Sequence, residues 1–423
     1  MLLILIILFV ILLVAGVPLA FTFCAASFGS AIFSGDINPI LLIQKLFNSM
    51  DSFTYMAIPL FLLAGNIMNQ TGITKRLVEF ADSLVGQFYG GLAQTTALSG
   101  MLMAGISGSA NADATAIGAL LLPPLREAGY DDGFRVSLVS ACAVLGPIIP
   151  PSILMIVYSG VSTISVGKLF MAGIIPGITL GLSYMVYSYF YAKKHDIKRT
   201  KFSGWKNVGK CFLSSLGGLI MPIIIIGGIL LGVVTATEAG ILAVIYGVIY
   251  GFITKLLDFK KLKKSIEEAL VATVGSILVI CFATLIGYIF TQANVPILIM
   301  NSLEAISTNK YVILVIISLL LVIMGLFIDA NAIILMMVPV FAPLICSLGL
   351  DPVYFAMIIL LSVATGGLTP PVGLVLYIVA SIESVNISKV VKKIWVFVGL
   401  MVLMVILVIF IPQLVTWIPS AIG

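Results

Sequence analysis

Long unbroken apolar runs recur along this chain. Met1–Phe23 and Cys211–Gly232 each exceed the ~20 residues that a helix needs to cross about 30 Å of hydrocarbon. In lipid every backbone polar group must find its partner inside the protein, and a helix supplies those partners within one segment. The charge content agrees: 9% of the 423 residues are charged and 61% are hydrophobic, against about 25% charged in a soluble domain. The fold class expected is an all-α integral membrane protein in the lipid bilayer. Met1–Phe23 carries neither a basic leader nor a small-residue cleavage site, so it reads as a retained helix rather than a signal peptide.

Several function classes fall away. The net charge of +5 is spread over short loops between apolar segments, which the positive-inside rule explains with no nucleic-acid partner. The five cysteines, Cys24, Cys142, Cys211, Cys281 and Cys346, lie in or beside apolar segments without ligand spacing and read as buried hydrophobes. His195 is the sole histidine and sits in a Lys-rich loop, so a His-based metal site or triad is excluded. Gly204 to Lys210 fits GxxxxGK, but Cys211 follows where Ser or Thr is needed. No strand precedes it, and a phosphate-cradling loop requires that context. The chain therefore does not fuel itself with ATP, and it lacks a plausible dyad for an intramembrane enzyme.

Nine crossings are expected: Met1–Phe23, Tyr55–Asn69, Phe134–Ile164, Val166–Tyr191, Cys211–Gly232, Thr235–Thr254, Ala269–Thr291, Val353–Ile382 and Lys389–Thr416. Gly91–Leu125 and Tyr311–Leu348 are interrupted near their middles by Ser107–Asp113 and Asp329–Asn331. Their halves are short for a span, so both are expected to be re-entrant hairpins. Ile73–Gln87 is amphipathic, with Ile37–Met50, Phe259–Glu268 and Val295–Ile306 as weaker cases, and all four are expected at the interface. The basic cluster Lys193, Lys194, Lys198, Arg199, Lys201, Lys206 and Lys210 belongs in the cytoplasm. Counting from there also places Lys75/Arg76, Lys255–Lys264 and Lys389–Lys393 inside. Nine crossings then put the N-terminus in the cytoplasm and the C-terminus in the periplasm.

The chain repeats itself. Gly105, Ser109, Asn111 and Pro123 match Gly325, Asp329, Asn331 and Pro343 at an offset of 220 residues, and the same offset aligns Gly146–Pro151 with Gly366–Pro371. By the crossing count the two copies are inverted relative to each other, as in many secondary transporters. Residues 1–191 form the first repeat, 192–232 a basic loop and linking helix, and 233–423 the second. Pro150-Pro151 and Pro370-Pro371 break their spans, since proline has no N–H to give. That frees carbonyls at Gly146–Ile149 and Gly366–Thr369, natural ligands for a hard cation, whereas the N-terminal ends of half-helices favour an anion. The tips add Ser107, Ser109 and Asn111 on one side and Asp329 and Asn331 on the other. Oxygen donors without thiolate or imidazole suit Na⁺. Two roles stay open for these side chains: caps of the second half-helix, or direct contacts to the transported species. Asp113 reads as a cap and Asp329 as the stronger functional candidate. Glu238, in Thr235–Glu238, fits a capping box.

These motifs carry a resemblance. Met50–Phe53 with Ala57–Pro59, Gly105–Ser109 with Ala112 and Asp113, Gly146–Ser152, and Gly366–Gly373 resemble the large membrane subunit (DctM/SiaM type) of tripartite ATP-independent periplasmic (TRAP) transporters over nearly the whole chain. The resemblance implies two inverted repeats and an elevator-type secondary transporter of the bacterial inner membrane, driven by Na⁺. It implies two partners, a separate small membrane subunit (DctQ/SiaQ type) and a periplasmic substrate-binding protein (DctP/SiaP type). It implies transport of C4-dicarboxylates, sialic acid or other sugar acids. Cation sites are implied at Ser107, Ser109 and Asn111 with Gly146 and Ile149, and at Gly325 and Asp329 with Gly366 and Thr369. Substrate contacts are implied at Ser107, Asn111, Asp329, Asn331 and Thr369. The competing expectation is a stand-alone Na⁺/carboxylate symporter of similar design.

Overall fold

The computed structural model describes residues 1–197 and 202–422; Lys198, Arg199 and Lys201 of the basic cluster lie outside the described residues. The described chain is helical throughout. In chain order the helices are α1 (Leu2–Val14), α2 (Leu19–Ser34), α3 (Pro39–Met50), α4 (Ala57–Gln70), α5 (Ile73–Val85), α6 (Gly91–Ser107), α7 (Ala110–Glu127), α8 (Asp132–Ala143), α9 (Ile153–Val161) and α10 (Val166–Lys194). They continue as α11 (Trp205–Leu230), α12 (Ala236–Ile253), α13 (Phe259–Gln292), α14 (Val295–Ile306), α15 (Lys310–Gly325), α16 (Ala330–Ser347), α17 (Pro352–Leu368), α18 (Leu374–Ile382), α19 (Ile387–Phe410) and α20 (Gln413–Ile422). Among the described residues, α10, α11, α12, α13, α16 and α19 are long and apolar enough to cross a membrane. This is a multi-pass architecture.

Three expectations change. Met1–Phe23 is not one crossing. Gly16 takes a left-handed φ of +79°, and Pro18 stands where a continuing helix needs an N–H. The chain therefore turns, α2 packs back on α1, and Phe9 stacks on Phe23 at 5.6 Å. The N-terminal ammonium ends 3.5 Å from the Asp36 carboxylate, so the pair returns the chain to the side it started from. The placement of the two termini on opposite sides rested on that crossing and falls with it. Second, Phe259–Glu268 is no separate interfacial helix. Asp258 accepts from the Lys261 N–H at 2.7 Å and starts one helix of 34 residues, roughly 50 Å long at 1.5 Å per residue. Third, Ile73–Gln87 keeps its amphipathic stripe, but Ile73, Leu77 and Ala81 are buried against α6 and α11. Protein, not the membrane interface, covers that face.

The interrupted segments turn at the small and polar residues that interrupt them, although α16 by itself is long enough to cross a membrane. Gly108, at φ +61°, ends α6, and Ser109 in extended backbone starts α7, so the chain reverses within two residues. Residues 326–329 do the same between α15 and α16. The two Pro-Pro pairs are cis and lie between α8 and α9 and between α17 and α18. Thr235 and Glu238 form the expected capping box at the start of α12.

Packing exchanges the halves. α9, from the first half of the chain, lies against α16 of the second, and α18 lies against α7 and α8 of the first. Gly118 on α7 makes room: a Cβ there would come within 2.5 Å of the Ile382 side chain. One charged contact locks this exchange. Arg135, 2% exposed, places Nη2 2.7 Å from Asp132 and Nη1 against the Glu383 carboxylate at the end of α18. Lys389 Nζ adds a bond of 3.2 Å to Asp132, at the start of α19. Those two donors hold the Asp132 carboxyl below the usual carboxylate range. At the other end of α19, Phe410 stacks on Tyr311 at 5.4 Å, and the Ile409 carbonyl accepts from the Tyr354 hydroxyl at 2.7 Å. The opening of the α6/α7 pair thus sits at one end of α19 and that of α15/α16 at the other.

These contacts fix a testable arrangement of ends. Lys45 stands over the Tyr288 ring at 5.2 Å, so Asp36 and α3 lie by the C-terminal end of α13. α14, with 12 residues, is too short to cross from there to α15. Three crossings separate that end from Lys206. In a background without native cysteines, Asp36→Cys and Gln413→Cys are expected to react with an impermeant thiol reagent from one side of the membrane and Lys206→Cys from the other. Opposite-sided labelling at positions 36 and 413 would refute the placement of α3 beside the C-terminal end of α13.

Candidate functional site

The tip of the α6/α7 pair meets the first Pro-Pro break. Ile153 N–H donates to the Gly108 carbonyl at 3.2 Å, and a Cβ on Gly108 would lie 2.5 Å from the Pro151 oxygen. Only glycine suits that position, on both conformation and space. Ser107 donates through Oγ to Asp113 Oδ1 at 2.5 Å and accepts from the Ser109 N–H at 3.3 Å. Asp113 is fully buried, and its Oδ2 has no hydrogen-bond partner among the described residues. Gly146 abuts it: a Cβ there would stand 2.6 Å from that oxygen and 3.2 Å from the Ser109 carbonyl carbon. The tip residues Ser107 and Ser109 and the break residue Gly146 are therefore one unit. Ile149 points elsewhere, its side chain filling the space beside Gly177 of α10.

The α15/α16 tip meets the second break through two glycines. A Cβ on Gly325 would stand 2.8 Å from the Gly366 Cα, and one on Gly366 would stand 2.6 Å from the Gly325 Cα. Asp329 caps α16, accepting from the Asn331 N–H at 2.9 Å. Asn331 Oδ1 is buried without a hydrogen-bond partner among the described residues. The Thr369 hydroxyl donates back to the Thr365 carbonyl at 2.7 Å, a local bond within its own helix end. Asp113 thus does not hold the cap expected of it. Asp329 is the cap; Ser109 holds the cap position of α7, and Asp113 is the buried acid. An offset of 220 residues sets Ile333 opposite Asp113, so matching the repeats alone passed over this residue. The usable signal was an isolated acid inside an otherwise apolar half-helix.

Both tips open on one cavity of about 950 Å³. Ser109, Asn111, Gly325, Asp329 and Asn331 line it, whereas Ser107, Gly146, Ile149, Gly366 and Thr369 lie behind its surface. α4 and α13 supply more of the lining. Four helix N-termini reach this cavity, at Ala110, Ile153, Ala330 and Leu374. Those of α7 and α18 carry no side-chain cap. Each N-terminus behaves as roughly half a positive charge, so the cavity favours an anion.

Residues 5–414 match the sequence profile described as "Tripartite ATP-independent periplasmic transporter, DctM component". The chain is 35% identical over 379 residues to the sialic acid TRAP transporter large permease protein SiaM of Vibrio cholerae, covering 88% of each chain. It is 30% identical over 430 residues to the C4-dicarboxylate TRAP transporter large permease protein DctM of the same organism, covering 96% of this chain and 95% of that one. The chain belongs to the DctM family of TRAP transporter large permeases. The YdaH transporter of Alcanivorax borkumensis, known from a crystal structure, shares the fold with a TM-score of 0.65 at 16% identity over 90% of each chain. A DctM-family member is a transporter subunit.

The glycine contact inside this permease gives a sharp contrast. Gly366→Ala drives a methyl into the Gly325 backbone, with no flexible side chain to yield. Overpacking of this kind costs about 1–3 kcal/mol, and the thermal midpoint in detergent is expected to fall. At the adjacent Gly367 a Cβ meets nothing within 4 Å, so Gly367→Ala is expected to hold or raise the midpoint through its better helix propensity. Equal midpoints for the two variants would contradict the close approach of α15 and α17.

Proposed function

We propose that this permease carries small organic anions, C4-dicarboxylates, sialic acid or related sugar acids, into the cytoplasm across the bacterial inner membrane. The observation that carries the reading is the convergence of four helix N-termini on one cavity between two tip-and-break units. Such a site offers an anion N–H donors and dipole ends without a fixed arginine clamp. Uptake is driven by Na⁺. The buried, unpartnered Asp113 Oδ2, supported by Ser107 and set against the Gly146 backbone, is an all-oxygen environment that suits a hard cation. A buried carboxylate needs a counter-charge, and Na⁺ supplies it. At the second unit, Asn331 Oδ1 and the backbone around Gly325, Gly366 and Thr369 play the corresponding part.

The two halves work as inverted repeats in an elevator. The tips and broken helices move as a body against α4 and α11–α13. The Lys193–Lys210 segment lies in the cytoplasm, and both termini face the periplasm. The small membrane subunit joins this chain in the membrane, and a periplasmic binding protein delivers the anion. A stand-alone Na⁺/carboxylate symporter would work without that delivery.

Reconstitution with the small subunit tests this. Uptake of the anion held by the cognate binding protein is expected only with inward Na⁺ and loaded binding protein. Asp113→Asn is expected to raise the Na⁺ half-saturation about tenfold or more, with folded protein in the membrane unchanged. Asn111→Ser and Asn331→Ser preserve capping ability and are nonetheless expected to slow uptake, more at Asn331. Full uptake in K⁺ would refute Na⁺ coupling, full uptake without binding protein would support the symporter, and unchanged Na⁺ dependence in Asp113→Asn would remove the cation from that site.

A further inference from the structure

The cavity is asymmetric in charge. Among its lining residues the acids are Asp329 at the tip and Glu268 on α13, and the single cationic side chain is Lys75. Lys75 stands at the start of α5, next to the end of α4. Glu268 is engaged: it accepts from Gln70 Nε2 at 3.4 Å and pairs with Lys264 at 3.7 Å. Lys75 has no ion pair among the described residues. Beside it, Leu62, Asn66 and Asn69 of α4 face the cavity at the four- and three-residue spacing of one helix face. Thr74 Oγ1 donates to Asn69 Oδ1 at 2.6 Å. That bond occupies the amide oxygen and leaves the Asn69 Nδ2 hydrogens for an acceptor.

We infer that Lys75, with the amide donors of Asn69 and Asn66, forms a second anion subsite on the α4–α5 wall, which draws a carboxylate from the tips toward the mouth beside Glu268. This deepens the transport reading above and rests on it for direction: the mouth carrying Lys75 is the cytoplasmic one. The chemistry is that of carboxylate recognition, one ammonium and neutral amide donors, with no partner of fixed negative charge on Lys75. Lys75 stands beyond the end of α4, whose Gly65 packs against Ser107 of the first tip. An anion leaving the tips along this wall reaches it next, so the subsite favours release. Glu268, held at the end of α4 by Gln70, limits how long the anion stays.

The test reads local charge and needs no transport. Ser276→Cys places a thiol on the α13 wall of the cavity, in a background with the five native cysteines replaced. The purified permease is treated with an anionic reagent, methanethiosulfonate ethylsulfonate, and with its cationic trimethylammonium counterpart, and the ratio of the two rates is taken. Fields within a cleft change such rates by about tenfold or more. Lys75→Gln is expected to lower the anion-to-cation ratio by about that factor, and Lys75→Arg to keep it. Glu268→Gln is expected to raise it, which gives an independent reading if the Lys75 variants fold poorly. An unchanged ratio in Lys75→Gln, or no rise in Glu268→Gln, would overturn the subsite. Because no ion gradient enters, that failure is separate from failure of Na⁺-driven uptake.

Discussion

The structure depends on where broken backbone goes inside a membrane. A helix interrupted at mid-depth exposes N–H and C=O groups that lipid cannot satisfy. Here each interruption is placed against another. The Gly108 carbonyl takes the Ile153 N–H across the first break, and Gly325 touches Gly366 backbone to backbone at the second. Neither contact tolerates a Cβ. Small residues at these positions are therefore a condition of having a tip and a break meet at all, and the cavity exists because both meetings face it.

The exchange of half-helices gives that geometry its rigidity. α9 supports the second tip through α16, and α18 supports the first through α7 and α8. A shift in either half is felt at both tips. The Arg135 cluster holds the far end of α18 to the start of α8. Breaking such a buried pair from one side leaves an uncompensated charge. At the offset of 220 residues Phe355 stands where Arg135 does, so no matching ion pair forms there, and the lock lies at the end of the molecule that carries Lys389 and Glu383.

Much of this was legible because punctuation in an apolar text is physical. Ser107–Asp113, Asp329–Asn331 and the two Pro-Pro pairs mark the breaks, and the structure turns at each of them. The Thr235–Glu238 box caps a helix as its pattern implies. The failures have causes of the same kind. Hydropathy summed over Met1–Phe23 is blind to the fold-back at Gly16 and Pro18, because two residues scarcely alter the total yet end a helix. Charge in Phe259–Glu268 suggested a separate surface helix, but α13 runs on past the width of a bilayer. Asp113 was read as a cap because its partner, Ser107, lies across a tight turn, and sequence spacing does not show which oxygen is left unbonded. That Lys75, Asn66 and Asn69 line one cavity was out of reach for a similar reason: it depends on how α4, α5 and α13 pack.

The proposed Na⁺ coupling requires the two tip-and-break units to respond to Na⁺. Hydrogen–deuterium exchange of the purified permease, compared in Na⁺ and in K⁺ at equal ionic strength, addresses it directly. Slower exchange in Na⁺ is predicted for peptides spanning residues 107–113 and 146–153 and for those spanning 325–331 and 366–373, with α11 and α12 unaffected. Identical exchange in the two salts at both units would contradict the account.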